Sequence, residues 1–399
     1  MMDITIYPRK LQGYVNAIPS KSHAHRLLIC AAFSDGETIL ECPETNADIE
    51  ATAGCLNALG ACITRTNGGY RVLPVKSVPA AAKLDCGESG STLRFILPIV
   101  CALGVNTTIE MSGRLPYRPL SPLWEELIKM GCSLSRPTDD TILTTGKLKA
   151  GEYCIAGNVS SQFITGLLFA ISMIEGSSCI KVVGTLESEP YVKMTQDALS
   201  AFGVTSDNFH INGCLPFHTP GSVRVEGDWS NAAFYLAADA LGHDIQVKNL
   251  NLHSSQGDRA IIDILKKSHQ FPTICARDIP DLIPILAVYF AVNGGAVFTE
   301  IARLRLKESD RVASIMNLLR SLGIQSEATD ETLTVHHGAY TSGIVDACND
   351  HRIAMAAAIA ATIASGPVTV LGAECVAKSY PTFWNVYQQL GGKYEQYLR

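Results

Sequence analysis

LNALGACITRTNGGYRVLP, Leu56 to Pro74, decides how the chain divides. A helical pattern stops at Gly60, where a left-handed cap costs glycine no Cβ strain. CITRT follows, then the turn Asn67-Gly68-Gly69, then YRVLP, so a hairpin is predicted directly after the helix. The same order returns after Gly131 (SLSR, a turn near Asp139-Asp140, TILTT) and after Gly323 (IQSEA, a turn near Asp330, LTVHH). Six segments share the stop: Leu56 to Gly60, Leu127 to Gly131, Leu199 to Gly203, Leu265 to His269, Leu319 to Gly323 and Tyr387 to Gly391. The fourth has His269 where the others have glycine. A second series, Ser22, Ser91, Ser160, Ser230, Ser309 and Asn349, opens helical runs, its first three intervals being 69, 69 and 70 residues. Such side chains accept the orphan N–H groups of a helix start, so each is expected as an N-cap. Two interleaved series predict six units of about 55–75 residues, each mixing strand, helix, strand, helix and hairpin.

At 399 residues, three units per globule is the economical division. The polar, Gly/Pro-rich stretch His210 to Gly227 places a hinge near residues 225–228, with the return strand near 18–20. The expected domains are therefore 1–18 with 227–399, which hold both termini, and an inserted 19–226. A content of 47% hydrophobic and 18% charged residues is that of a globular protein and excludes disorder. The net charge of −6, without a basic stripe, argues against a nucleic-acid partner. The longest apolar runs, Phe95 to Val105, Leu282 to Val292 and Ile353 to Ala364, fall short of the roughly 18–20 residues that cross a bilayer. MMDITIYPRK lacks a signal-peptide apolar region. Thirteen scattered cysteines without a C-x-x-C pair read as reduced, mostly buried thiols in a cytosolic protein.

The helix starts carry the chemistry. They read PSKSHAHR (Lys21, Ser22, Arg26), GESGSTLR (Gly87 to Arg94), VSSQF (Ser160, Ser161, Gln162), LKESDR (Lys307, Glu308, Arg311) and NDHR (Asn349 to Arg352). A helix N-terminus already carries about half a positive charge, so lysine and arginine there destabilise an empty protein unless anions fill the space. Taken singly, each element has a plainer reading: a solvated helix face, a turn and cap, or a structural ion-pair cluster at Asp350-His351-Arg352. Asp228 to Asn231 reads as a helix cap. His23, His25 and His351 lack a third ligand at a useful spacing, so no metal is expected. Recurrence at equivalent positions favours an anion site for phosphates or carboxylates.

PSKSHAHR, GESGSTLR, GRLPYRPL, VSSQF, SEPY, LKESDR, NDHR and AKSYP occur in this order over nearly the whole chain. This set resembles the 5-enolpyruvylshikimate-3-phosphate synthase family. The resemblance implies an α/β (α+β) enolpyruvyl transferase fold of two domains, each of three βαβαββ units, with the active site in the cleft between them. It implies transfer of the enolpyruvyl group of phosphoenolpyruvate to the 5-hydroxyl of shikimate 3-phosphate, without a cofactor, by a cytosolic monomer. By similarity, Ser160, Ser161 and Ser188 hold the shikimate phosphate, Ser22 and Arg26 its carboxylate, and Tyr191 and Gln162 its ring. Lys307 reaches toward the reacting centre. Phosphoenolpyruvate sets its phosphate against Lys21, Arg118, Gln162 and Lys378 and its carboxylate against Arg311 and Arg352, with Gly90 and Ser91 alongside. Asp281 in IPDLIP is the candidate base for the 5-hydroxyl. Glu308 is the candidate for proton traffic at the methylene carbon, with Lys21 and Lys378 as alternatives.

Two positions depart from the family pattern. Glu88 stands where many relatives carry Asn, and Arg303 replaces an Asn common near the shikimate phosphate. Gly90 keeps the small residue of glyphosate-sensitive relatives. The nearest rival is UDP-N-acetylglucosamine enolpyruvyl transferase, but Lys21 is followed by Ser22 rather than Asn, and GRLPYRPL holds no cysteine. RNA 3′-phosphate cyclases fit neither the acidic balance nor the SSQ set. A non-catalytic anion-binding protein would not need Asp281 and Glu308 beside its cations.

Overall fold

Twelve α-helices alternate between two kinds in the computed structural model, which describes residues 2–213, 216–267 and 270–398. In chain order they are α1 (Lys21–Ala32), α2 (Ala47–Ala58), α3 (Gly90–Leu103), α4 (Leu123–Lys129), α5 (Ser161–Met173), α6 (Glu189–Ala201), α7 (Trp229–Ala240), α8 (Ile261–Leu265), α9 (Ile283–Ala291), α10 (Arg311–Ser321), α11 (His351–Thr362) and α12 (Phe383–Gln389). The odd-numbered helices are buried along most or all of their length, and the even-numbered ones keep an exposed face. The three long apolar runs are α3, α9 and α11, buried because neighbours cover them on every side. The glycine stops end the even-numbered set. Gly60, Gly131, Gly203, Gly323 and Gly391 follow α2, α4, α6, α10 and α12 with φ between +80° and +116°. His269 lies outside the described residues.

The chain parts into Pro19–Glu226 and Met1–Ile18 with Gly227–Arg399. Within Pro19–Glu226, Ala81–Asp85, α3, Asn106–Glu110, α4 and the hairpin Cys132–Thr138/Thr141–Gly146 form one βαβαββ unit. Its first two strands are parallel and its hairpin returns antiparallel. The sheet ahead of it takes its first strand from far along the chain, Ser222–Arg224 lying parallel to Thr38–Glu41. Among the described residues the third sheet has three strands, Glu152–Ala156, Gly176–Val183 and His210–Gly213. In the other unit, Thr273–Cys275, α9, Ala296–Thr299, α10 and the hairpin Ser326–Ala328/Thr332–Val335 repeat the same order. Met2–Tyr7 fills the last sheet between Val368–Leu371 and Lys393–Leu398. Gln12–Asn16 and Asp244–Lys248 make a two-stranded parallel pair among the described residues, the shortest version of the repeat.

The N-cap series needs correction. Ser20, Ser89, Ser160, Asp228 and Asp350 cap α1, α3, α5, α7 and α11. Ser22, Ser91 and Ser230 sit two residues inside their helices, and Asn349 one residue before its cap. In the fifth repeat the position equivalent to these starts is Asp281-Leu282, ahead of α9. Ser309 precedes α10, a second helix of its repeat, where Asp310 is the cap. Periodicity alone cannot separate a cap from a serine in the first turn, since both face the same end of the helix.

Each buried Leu, Ile or Phe of these helices contributes about 1.5–3 kcal/mol over exposure. One close approach is set by a proline. Pro98 inside α3 has no N–H, so the carbonyl of Arg94 loses its partner within the helix. That carbonyl lies against Gly166 of α5, where an added Cβ would fall 2.1 Å from it and 3.0 Å from Pro98 Cγ. A backbone oxygen cannot swing away as a side chain can. Gly166→Ala is expected to part α3 from α5 and destabilise the protein by about 1–3 kcal/mol, read as a lower denaturant midpoint.

Candidate functional site

In Pro19–Glu226 the starts of four helices are laced together by short polar bonds. Lys21 heads α1 and reaches Asp48 in the first turn of α2, Nζ to Oδ2 being 2.8 Å. Behind this pair runs a chain of hydroxyls. His25 Nδ1 meets Thr52 Oγ1 at 2.7 Å, Thr52 meets Thr92 Oγ1 at 2.7 Å, and Thr92 donates to Ser89, the cap of α3, at 2.7 Å. Burial drives the His25 imidazole down to about 3, so it is neutral and adds no charge. His23 also falls, to about 4, chiefly through burial, and its Nδ1 accepts the Glu226 N–H at 3.2 Å.

Gln162, in the first turn of α5, bridges to α3. Its Nε2 donates to Ser91 Oγ at 2.9 Å and its Oε1 accepts from Arg94 Nη1 at 2.8 Å. Gly90 is bare where two guanidiniums close in. A Cβ built there would lie 2.7 Å from Arg118 Nη1 and 2.8 Å from Arg94 Nη1. Lys21, Ser91, Arg118, Ser160, Ser161 and Gln162 head or adjoin helix starts, whose N–H groups carry partial positive charge. Ser188 is buried and left-handed at φ +57°, directly before α6 and Tyr191. Glu88 reaches toward Gly113, where a Cβ would overlap its carboxylate.

Arg26 takes a less open position than its spacing from Ser22 promised. Its guanidinium is 2% exposed and crosses to α6, with Nε on Thr195 Oγ1 at 2.8 Å and Nη2 on the Tyr191 carbonyl at 2.9 Å. Nη1 donates to the Ser22 carbonyl, which closes the i,i+4 pair on itself.

In the unit holding both termini, the start of α10 meets those of α9 and α11. Arg311 is 1% exposed, and three carboxylates surround it. Nη1 donates to Asp281 Oδ1 at 2.6 Å, Nη2 to Glu308 Oε2 at 2.6 Å and Nε to Asp350 Oδ2 at 2.9 Å. Arg352 Nη2 reaches the other oxygen of Asp281 at 3.2 Å. Lys307 Nζ stands 3.8 Å from Asp281 Oδ1. Lys378 Nζ donates to the Asn349 carbonyl at 3.3 Å, beside the start of α11. Cys348 and Asn349 are both left-handed there, a strained pair ahead of the Asp350 cap.

These contacts set the charge states. Burial opposes the charge on Asp281, yet Arg352, Lys307 and Arg311 together hold its carboxyl well below the usual range. Burial pushes Lys307 down to about 8, with Arg311 and Arg303 adding to it against the pull of Asp281. Asp258 rises to about 7, first through burial and then through the charge of Asp281. Its carboxyl also shares a short bond with Ser230 at the start of α7.

Of the residues expected from the sequence, Asp281, Lys307, Glu308, Arg311 and Arg352 form one cluster here. Three others, Asp48, Asp258 and Arg94, have no role legible in the sequence, while Asp350, read there as an ion-pair residue, pairs with Arg311. Asp48 and Asp258 gave no signal beyond their type. Asp350 and Arg94 lay inside quoted motifs, but nothing local says which arginine or glutamine they meet. The cations were expected to await outside anions; in this unit internal acids already neutralise them. Among the described residues, no group of three or more His, Cys, Asp or Glu side chains is placed to hold a metal, and no helix is long and apolar enough to cross a membrane.

Comparison with known proteins agrees with this chemistry. The family model described as EPSP synthase (3-phosphoshikimate 1-carboxyvinyltransferase) matches residues 6–270 and 269–387. A 3-phosphoshikimate 1-carboxyvinyltransferase of Clostridium acetobutylicum is 39% identical, covering 98% of this chain and 97% of that protein. One of Clostridium kluyveri is 37% identical, covering 100% and 99%. The solved EPSP synthase of Acinetobacter baumannii shares the fold, with a TM-score of 0.82 at 23% identity over 100% of both chains. With a matching family model and full-length relatives above 30% identity, the chain belongs to the EPSP synthase family.

Proposed function

We propose that this protein transfers the enolpyruvyl group of phosphoenolpyruvate to the 5-hydroxyl of shikimate 3-phosphate and releases inorganic phosphate. The observation that carries this is the convergence of Arg311 and Arg352 on one carboxylate, that of Asp281. Two planar forks suit a carboxylate, and each substrate brings one carboxylate and one phosphate. Arg311 and Arg352 take the donor carboxylate, while Lys21, Arg118, Gln162 and Lys378 take its phosphate, with Gly90 and Ser91 alongside. Ser160, Ser161 and Ser188 take the acceptor phosphate; Lys21 contacts both substrates, and Tyr191 and Gln162 line the ring. Ser22 and Arg26 take the acceptor carboxylate, for which Arg26 gives up its bond to the Ser22 carbonyl.

The chemistry is addition then elimination. Asp281 receives the 5-hydroxyl proton as the hydroxyl oxygen bonds to C2 of phosphoenolpyruvate. A proton reaches the methylene carbon from Glu308, which lies beside Arg311; Lys21 and Lys378 are the other candidate carriers. The resulting tetrahedral intermediate loses phosphate as a proton leaves the new methyl group. Fixed cations stabilise the departing charge, and Lys307 lies 3.8 Å from the base. The protein acts as a cytosolic monomer in this scheme.

Phosphate release tests this directly. Turnover is expected with shikimate 3-phosphate and phosphoenolpyruvate, and none when UDP-N-acetylglucosamine replaces the acceptor; silence with the first pair refutes the assignment. Arg352→Ala is expected to lower kcat/KM for phosphoenolpyruvate by about 30- to 5,000-fold, equivalent to about 2–5 kcal/mol, because a buried charged partner of the donor is lost. Lys307 works as an ammonium, and its folded pKa lies below the 10.5 of a free lysine. It loses its proton as pH rises through about 8, so kcat/KM should fall there. Lys307→Arg keeps the charge, and its pH profile should lack that alkaline limb.

A further inference from the structure

The three carboxylates on Arg311 differ in kind. Asp350 is fully buried and has no other place to go. Its Oδ1 accepts the Arg352 N–H at 3.0 Å, capping α11, and its Oδ2 accepts from Ser309 Oγ at 3.1 Å as well as from Arg311 Nε. Asp281 and Glu308 meet the terminal Nη1 and Nη2 edge instead, with side chains 18% and 29% exposed. That edge is the part of a guanidinium that grips a carboxylate with two parallel bonds.

Charge counting sharpens the difference. Arg311, Arg352 and Lys307 carry three positive charges, and Asp281, Glu308 and Asp350 carry three negative ones. A ligand carboxylate arriving at this balanced cluster brings a surplus negative charge into a poorly hydrated space. It binds well only where an acid already present yields its bonds. Asp281 can yield, because Lys307 stands by as a second cation. Asp350 cannot, because leaving Arg311 would orphan a buried Nε–H and a helix cap together.

We propose that Asp350 is the fixed positioning residue of Arg311, and that Asp281 and Glu308 are internal stand-ins which the donor carboxylate displaces from its outer edge. The displacement rests on the reaction assigned above, and it adds an order of events. Asp281 is spent on arginines until phosphoenolpyruvate takes them, and only then is it released to act on the acceptor hydroxyl.

The test is the sign of three affinity changes, measured by calorimetric titration with phosphoenolpyruvate alone, so that no turnover occurs. Asp281→Asn keeps the shape and removes a competing charge, and should tighten binding by about tenfold or more. Glu308→Gln should shift affinity in the same direction. Asp350→Asn still caps α11, since Asn caps as well as Asp, but it no longer holds Arg311 by charge. It should weaken binding by about tenfold or more. A merely structural role predicts weaker binding for all three. Weaker or unchanged binding by Asp281→Asn and Glu308→Gln overturns the exchange, whether or not the Asp350 variant folds. Absence of binding by both the wild type and Asp281→Asn overturns it as well. Wild-type phosphate release is scored separately: its failure removes the assigned reaction, whereas the opposite signs would still establish displacement at Arg311.

Discussion

A buried guanidinium held by three carboxylates is the interaction around which the unit with both termini is organised. Arg311 heads α10, where the helix dipole already disfavours a cation, and burial adds a desolvation cost of several kcal/mol for an isolated charge. The arrangement persists because Asp281 precedes α9, Glu308 precedes α10 and Asp350 caps α11. Three helix starts thus deliver their acids to one point. Arg352 is drawn in by the same Asp281 carboxylate. Removing any one acid leaves a buried positive charge short of a partner.

The unit Pro19–Glu226 handles its helix starts differently. Lys21 pairs with Asp48, and His25, Thr52, Thr92, Ser89, Ser91 and Gln162 pass hydrogen bonds between helices without adding charge of their own. Such lacing fixes the geometry of the helix starts. Bare Gly90 lets Arg118 and Arg94 approach α3 more closely than any side chain would allow.

Under the proposed reaction, charge compensation and catalysis are coupled through the same atoms. An acid whose pKa is held low by two arginines is a weak base, and it strengthens as those arginines turn to another anion. Preplaced cations stabilise developing negative charge without reorganising, because internal acids have already oriented them. Lys307, pushed toward neutrality by burial, stands beside the same Asp281 carboxylate.

Local sequence determined the repeat. Glycine stops follow the even-numbered helices, and hairpins follow Gly60, Gly131 and Gly323, because caps and turns depend on a few adjacent residues. The cationic motifs were legible for the same reason: Lys21, Lys307, Arg311 and Arg352 stand at helix starts whatever lies across from them. Tertiary structure alone decided the pairings. The Asp281-Leu282 start of the fifth repeat, the strand Ser222–Arg224 completing the first sheet and Met2–Tyr7 completing the last all join residues distant in the chain. So do the bonds of Arg311 to Asp281, 30 residues away, and to Asp350, 39 residues away. A sequence pattern records what each position can do alone; the partner of a buried charge is fixed only when packing brings two segments within about 3 Å and removes the water between them.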